Sequence, residues 1–357
     1  MTRTFTYQAL PMRVQLGVGA LTRLPAEVEH LGLQRVLVIC APDQQHTGER
    51  VAAALGDRAA GVLAEATMHV PIEIAARARD RAEELGADGC VTVGGGSAVG
   101  LGKAIALEFG LPVIAVPTTY AGSEMTPVWG LTEGGRKRTG RDPRVLPRSV
   151  IYDPELTVSL PAAMSVTSGI NAIAHAVEAL YAPDASPIIS LMAEEGVRAL
   201  TDALPRVVAD GADLDARADA QYGAWLCGAC LGGTTMSLHH KLCHTLGGTL
   251  DLPHAQTHTV VLPHALAHNQ PAAPDAVAAL SRALGGVPDP ARALWDRAAD
   301  LGAPTSLRQL GMAEADIPRI VELATEQPYA NPRPVTPAGI EALVRAAWAG
   351  EPPHGSH

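Results

Sequence analysis

Over roughly its first 160 residues the chain alternates short apolar runs with stretches in which apolar positions recur every three to four residues. Runs of four or five apolar residues bounded by turn residues suit strands buried on both faces, and the amphipathic stretches suit the helices that cover them. Val36–Ile39, Gly89–Val93, Val113–Val116 and Val150–Tyr152 predict strands, and Ile72–Leu85 and Ala98–Phe109 predict helices. That alternation is the grammar of a parallel sheet flanked by helices. After Leu160-Pro161 the β-branched runs become rare. Helical periodicity takes over in Ser165–Tyr181, Pro187–Ala209, Asp213–Cys230, Thr235–Leu246, Asp275–Leu284, Pro290–Gly302, Ala313–Thr325 and Pro337–Trp348. The expected fold is an α/β N-terminal domain with a parallel, Rossmann-like sheet over residues 1–160, and an all-α C-terminal domain over 161–357.

Composition sharpens this picture. Apolar residues make up 47% of the 357 positions and charged residues 18%, which suits a sizeable core rather than disorder. Aromatics are only 3%, so the core must rely on small side chains and close helix contacts. The net charge of −10 repels nucleic acid, and no basic stripe offsets it. The densest basic stretch, Arg136-Lys137-Arg138 with Arg141 and Arg144, suits a small anion better than a polymer. Five scattered cysteines argue for a reducing compartment, and Cys227 and Cys230 sit in an apolar helical stretch where packing explains them. The N-terminus lacks an apolar signal core, and no apolar run is long enough to span a bilayer. A cytoplasmic protein with no membrane partner is expected.

Gly94-Gly95-Gly96-Ser97 lies between a predicted strand and a predicted helix. Glycines let backbone N–H groups approach phosphate oxygens closely, and a helix N-terminus favours negative charge. Ser97 is placed to cap the helix and donate to a phosphate. A glycine triplet alone more often marks a tight turn. The next strand, however, ends in Pro117-Thr118-Thr119 and runs on to Ser123, and ligands of open parallel sheets sit at the carboxyl ends of strands. Gly94, Gly95, Gly96, Ser97, Thr118, Thr119, Ser123 and Lys137 are therefore the candidate dinucleotide contacts. Lys103 reads as a phosphate counter-charge or a surface residue. The first strand lacks an acidic residue at its end (Asp43 comes beyond Pro42), so NADPH is open as well as NADH.

Three histidine-rich pairs stand in the second half: Asn171 and His175, His240 and His244, His254 and His258. Each is spaced four apart, which places both members on one helical face. A lone helical histidine is usually a packing residue. Three such pairs point instead to a divalent-metal site or to a proton-donating, anion-attracting pocket. Asn171 is a neutral, poorer ligand than a carboxylate, and Glu178 is the nearest acid.

Taken in order, these motifs resemble the iron-containing alcohol dehydrogenases along nearly the whole chain. That family has a Gly-Gly-Gly-Ser loop, a Pro-Thr-Thr strand end, a helix with Asp and His four apart, a helix with paired histidines, and a further histidine after a proline. Its metal ligands map to Asn171, His175, His240 and His254, and a histidine near the nicotinamide maps to His244. The change of Asp to Asn at 171 resembles the maleylacetate reductase branch, as do Arg138–Pro147, Ser168–Glu178, His239–His244 and Asn331–Pro334.

The resemblance implies a reaction: NADH or NADPH reduces the carbon–carbon double bond of maleylacetate, a product of aromatic ring cleavage, to 3-oxoadipate. Chloro-substituted substrates and a homodimer are also implied. Hydride delivery to the alkene builds an enolate, which needs donors at the ketone oxygen and a proton source for the adjacent carbon. His175, His240, His244, His254 and Asn171 are expected to line that centre, with His244 and His254 as the donors. Arg138, Arg141, Lys241 and Arg333 are expected to hold the carboxylates. A divalent metal is not expected to be required; if one binds, its ligands would be Asn171, His175, His240 and His254. The competing readings are a metal-dependent alcohol or aldehyde dehydrogenase of the same superfamily, a carbocycle-forming lyase resembling dehydroquinate synthase, and a non-catalytic NAD-binding protein.

Overall fold

The apolar runs of the N-terminal half lie side by side in one parallel sheet. The structure is a computed structural model that describes residues 5–134 and 136–353, and only the backbone of Arg136 and Lys137. The strands are β1 (Arg13–Leu16), β2 (Val36–Ile39), β3 (Ala59–Leu63), β4 (Gly89–Gly94), β5 (Val113–Pro117), β6 (Val128–Glu133), β7 (Arg136–Arg141) and β8 (Ser149–Tyr152). Six of them form a sheet in the order β1-β8-β5-β4-β2-β3, with every pair parallel, and β6 and β7 form a separate antiparallel hairpin. Helices α1 (Leu24–His30), α2 (Gln45–Leu55), α3 (Ile72–Glu84) and α4 (Gly96–Phe109) accompany the sheet.

Both faces of the sheet are covered. Leu37, Ile39 and Cys90 pack with Ala75, Ala78, Leu101 and Ile105 on one side, while Val36, Val38, Val91 and Val93 pack with Leu24, Val28 and Val51 on the other. Successive residues alternate between two dry layers, which is why these strands read as unbroken apolar runs. The edge strands β1 (Arg-Val-Gln-Leu) and β3 (Ala-Ala-Gly-Val-Leu) are only partly buried and carry no such run, so periodicity does not predict them.

The helical half contains α5 (Ala162–Leu180), α6 (Pro187–Ala209), α7 (Leu214–Gly233), α8 (Leu238–Leu250), α9 (His254–Asn269), α10 (Pro274–Ala283), α11 (Pro290–Asp300), α12 (Ile317–Thr325) and α13 (Pro337–Ala349). The predicted helices omit α9. Every residue from Thr257 to Asn269 is buried, so the helix has no polar face and therefore no amphipathic period to detect. Its neighbours α8, α12 and α13 share one apolar core with it through Leu242, Leu246, Val260, Val261, Ile320 and Ile340.

The chain divides into two compact units. One comprises Leu10–Leu160 with Ala212–Gln221, and the other holds Pro161–Gly211 and most of the chain from Tyr222 onward. The opening of α7 belongs with the sheet although it comes after Pro161. Arg217, fully buried, donates to the Tyr120 hydroxyl at 3.2 Å and to the Leu160 carbonyl at 3.1 Å, and Gln221 donates to the Asp153 carbonyl at 3.3 Å. These are long-range polar contacts with no periodic signature. All five cysteines are free and buried, including Cys227 and Cys230 inside α7. Among the described residues no helix is long and apolar enough to cross a membrane.

Candidate active site

In the sheet unit, β4 and β5 end together, with Gly94 opposite Pro117. The Thr118 N–H continues the pairing by donating to the Gly94 carbonyl at 3.1 Å. This register brings the glycine turn beside Thr118 and Thr119. Gly94 has φ of 146°, a backbone state that side-chain-bearing residues rarely adopt. A Cβ at Gly95 would stand 2.9 Å from Thr119 Cγ2, so only glycine allows that approach. Gln44, from the turn after β2, donates to Thr118 Oγ1 at 2.9 Å. It is a contact of the turn that sequence reading missed, because nothing near Gln44 marks it.

Ser97 does not cap the helix as expected. Helix α4 begins at Gly96, Gly95 occupies the capping position, and no side chain caps it. Gly96 itself is exposed with open space where a side chain would be. Uncapped first-turn N–H groups beside open space are what a phosphate requires, so the turn fits a dinucleotide.

Lys103 is neither a phosphate counter-charge nor a surface residue. It is 1% exposed, and its Nζ donates to the carbonyls of Ser123 (2.6 Å), Thr126 (2.8 Å) and Val128 (2.8 Å) and to Thr126 Oγ1 (2.9 Å). Burial pushes its pKa down to about 7, against the opposing pull of Glu124. Arg138 and Arg141 are exposed on β7, and Arg138 pairs with Glu133 at 3.5 Å. The side chain of Lys137 lies outside the described residues.

In the helical unit, α5 carries Asn171, His175 and Glu178 on one buried face. Glu178 organises the opening of α8. Its carboxylate accepts the backbone N–H groups of Ser237 (2.8 Å) and His239 (2.7 Å) there, and it lies 2.7 Å from His240 Nδ1. The Glu178 oxygens already accept two backbone N–H groups, so His240 Nδ1 is the donor of this pair and Nε2 is the ring nitrogen left to face the cluster. That Nε2 is buried and has no hydrogen-bond partner, as is His175 Nδ1.

Around His240 the rings gather closely. Its centroid is 5.1 Å from those of His175 and His258, 5.2 Å from His239 and 6.1 Å from His244, while His254 lies 4.3 Å from His258. The cluster thus unites His175, His240, His244 and His254, and it adds His239 and His258. His244 is exposed, His254 half-buried and the others buried. Burial, and then the neighbouring rings, hold His175, His239 and His258 well below the ordinary histidine value, so all three are neutral.

Lys241 comes directly after His240 on α8 and is half-buried. Arg333 is not brought to the imidazoles. Its Nη1 donates to the His268 carbonyl at 3.2 Å, at the far end of α9 from His254. Fourteen residues of helix separate those ends, roughly 20 Å at 1.5 Å per residue. The segment is pinned there because Asn331 and Asn269 exchange amide hydrogen bonds of 2.7 and 2.9 Å.

Residues 11–154 match the family model of iron-containing alcohol dehydrogenase, and residues 165–348 match that of the Fe-containing alcohol dehydrogenase family, C-terminal. The chain is 56% identical to the maleylacetate reductase of Burkholderia cepacia, over 98% of this chain and 99% of the relative. The crystal structure of maleylacetate reductase from Agrobacterium tumefaciens superimposes with a TM-score of 0.95 at 50% identity, covering 99% of this chain and 100% of that one. An alcohol dehydrogenase candidate from Ralstonia eutropha gives 0.98 at 59% identity, with 99% and 100% covered.

These findings overturn the expectation that no metal is required. The family is an iron-containing one, and among the described residues His239, Cys243 and His258 offer donor atoms all within 4.8 Å of one another. One neutral position, Asn171, does not outweigh a whole cluster of donors. Buried imidazoles with unpartnered ring nitrogens, one of them oriented by a carboxylate behind it, fit a divalent cation of borderline softness. Sequence, fold and donor chemistry agree: the chain belongs to the iron-containing alcohol dehydrogenase family, among its maleylacetate reductases.

Proposed function

We propose that the chain reduces the carbon–carbon double bond of maleylacetate to give 3-oxoadipate, taking the hydride from NADH or NADPH. The observation that carries this reading is the buried imidazole cluster around His240, held by Glu178, in a chain that matches maleylacetate reductases over nearly its whole length.

Hydride enters at the alkene carbon remote from the ketone. The π electrons move to the ketone oxygen, a proton is added to the carbon beside the ketone, and the oxidised dinucleotide leaves. The turn of Gly94, Gly95, Gly96 and Ser97 offers backbone N–H groups to the pyrophosphate, with Thr118 and Thr119 beside it and Ser123 and Lys137 as further candidate contacts. His244 is the donor to carbon, and His254 donates to the enolate oxygen only where it holds no metal. His244 is the exposed ring and exchanges protons with water most readily. His175 is neutral and buried, so it shapes and ligates rather than delivers a proton. Asn171 orients the substrate or a water molecule. Lys241, Arg138 and Arg141 are the candidates for the substrate carboxylates. A divalent metal held by His175, His240 and His254, with Asn171 as a neutral contact, supplies Lewis acidity toward the ketone oxygen when bound.

We place the protein in the cytoplasm as a homodimer, within aromatic-compound breakdown, with chloro-substituted maleylacetates as further substrates. The test is loss of NADH absorbance with freshly prepared maleylacetate, compared with His244→Ala. The parent is expected to turn over and the variant to lose about a hundredfold in kcat, the usual size of a general acid's contribution. No NADH consumption by the parent sinks the assignment, and unaltered turnover by the variant removes His244 from the centre.

A further inference from the structure

Lys103 is a buried cation that the reaction does not use. It lies seven residues beyond Gly96 on α4, about 10 Å along the helix from the phosphate-facing end. Its ammonium is also fully engaged, with three carbonyls and one hydroxyl within 2.9 Å and Ser123 Oγ at 3.5 Å. An ammonium has three N–H donors, so none is left for a ligand.

All of these acceptors lie on one segment, from the chain between β5 and β6 to the first residue of β6. Ser123, Thr126 and Val128 turn their carbonyls inward to Nζ, and Thr126 Oγ1 also donates to the Ser123 carbonyl at 3.1 Å. The upstream part of that segment contains Thr118 and Thr119, which stand against the glycine turn. Glu124, in the middle, is buried and accepts from the Tyr152 hydroxyl at 2.8 Å. Irregular backbone this deep needs an internal donor for each carbonyl, and an apolar side chain at 103 would strand three of them.

We propose that Lys103 is a positioning residue for the dinucleotide: its ammonium fastens the β5–β6 segment to α4, and so fixes Thr118 and Thr119 beside the turn that opens the same helix. One helix then serves both halves of the cradle, presenting N–H groups at its first turn and holding the hydroxyl-bearing ledge two turns later. The inference rests on reading the glycine turn as the dinucleotide site.

The test is direct NADH binding, monitored by fluorescence on the full-length protein, for the parent, Lys103→Met, Thr126→Val and Thr126→Ser, with melting curves to establish folding. Lys103→Met is expected to weaken NADH binding about tenfold or more, the effect of losing charge-assisted hydrogen bonds that hold a loop. Its kcat at saturating NADH and its KM for maleylacetate should stay within about threefold of the parent's, a split that general destabilisation does not produce. Thr126→Val should weaken NADH binding by a smaller factor, and Thr126→Ser, which keeps the hydroxyl, should match the parent. If Lys103→Met does not fold, the Thr126 pair carries the test. A folded Lys103→Met with parental NADH affinity overturns the proposal while leaving the dinucleotide reading intact, as does equal NADH affinity in the two Thr126 variants. Failure of the parent to bind NADH overturns both.

Discussion

Glu178 Oε2 and His240 Nδ1 lie 2.7 Å apart, and the same carboxylate accepts the Ser237 and His239 N–H groups that open α8. One side chain therefore caps a helix and sets the tautomer of the histidine that the helix carries. Glu178→Gln leaves the volume but removes the charge and one acceptor. The expected outcome is a loss of about 1.5–3 kcal/mol in stability, together with a drop in kcat from a misoriented His240. Denaturant melts and steady-state kinetics read the two effects. Parental values in both would show that the carboxylate orients nothing.

Metal binding should be visible as stability. A divalent cation that binds only the folded cluster stabilises by about 2.7 kcal/mol at a hundred times its dissociation constant, which raises Tm by several degrees. Ferrous or zinc ion added to chelator-treated protein is expected to produce that shift, and His175→Ala to abolish it. Were the shift the same size in the variant, the ion would be bound elsewhere.

Acid should destabilise the fold through the same rings. Burial first, and then their neighbours, hold His175, His239 and His258 well below 6.5. The unfolded chain takes up these protons below its ordinary histidine pKa while the folded chain does not. The stability is therefore fully present above about pH 6.5 and is lost as pH falls toward the depressed values. Each ring contributes at most about 1.4 kcal/mol per pH unit. Melting temperatures measured across that range should decline from pH 6.5 downward. A profile that stays level to about pH 5 would contradict neutral buried rings.

Gly95→Ala tests the close approach of the turn to Thr119. The added Cβ meets Thr119 Cγ2 at 2.9 Å and Oγ1 at 3.1 Å, so the threonine must move. Overpacking of this kind costs about 1–3 kcal/mol. Its expected functional readout is a higher KM for NADH with kcat little changed. An unchanged KM would mean that Thr119 has no part in holding the dinucleotide.

The central strands and most of the helices were legible because burial repeats along them. Val36–Ile39 is dry on both faces and Ile72–Glu84 on one, and each leaves a period in the sequence. Edge strands β1 and β3 and the wholly buried α9 leave none. The i, i+4 spacing of the histidines marked which residues share a helix face, and the structure brings all four proposed rings into one cluster. That Arg333 packs at the His268 end of α9 was not legible, because a local motif does not say which end of a helix it will meet.

Taken by itself, the sequence determined the α/β and all-helical halves, the glycine turn between a strand and a helix, and the family, because each is written in local periodicity or in contiguous motifs. Only the tertiary structure decided that Glu178 stands behind His240, that His239 and His258 join the rings, and that Lys103 ties down the β5–β6 segment. Those partners are separated by 19 to 62 positions along the chain. A hydrogen bond between residues so far apart leaves no periodic trace, since it depends on where folding brings the backbone rather than on the spacing of residue types.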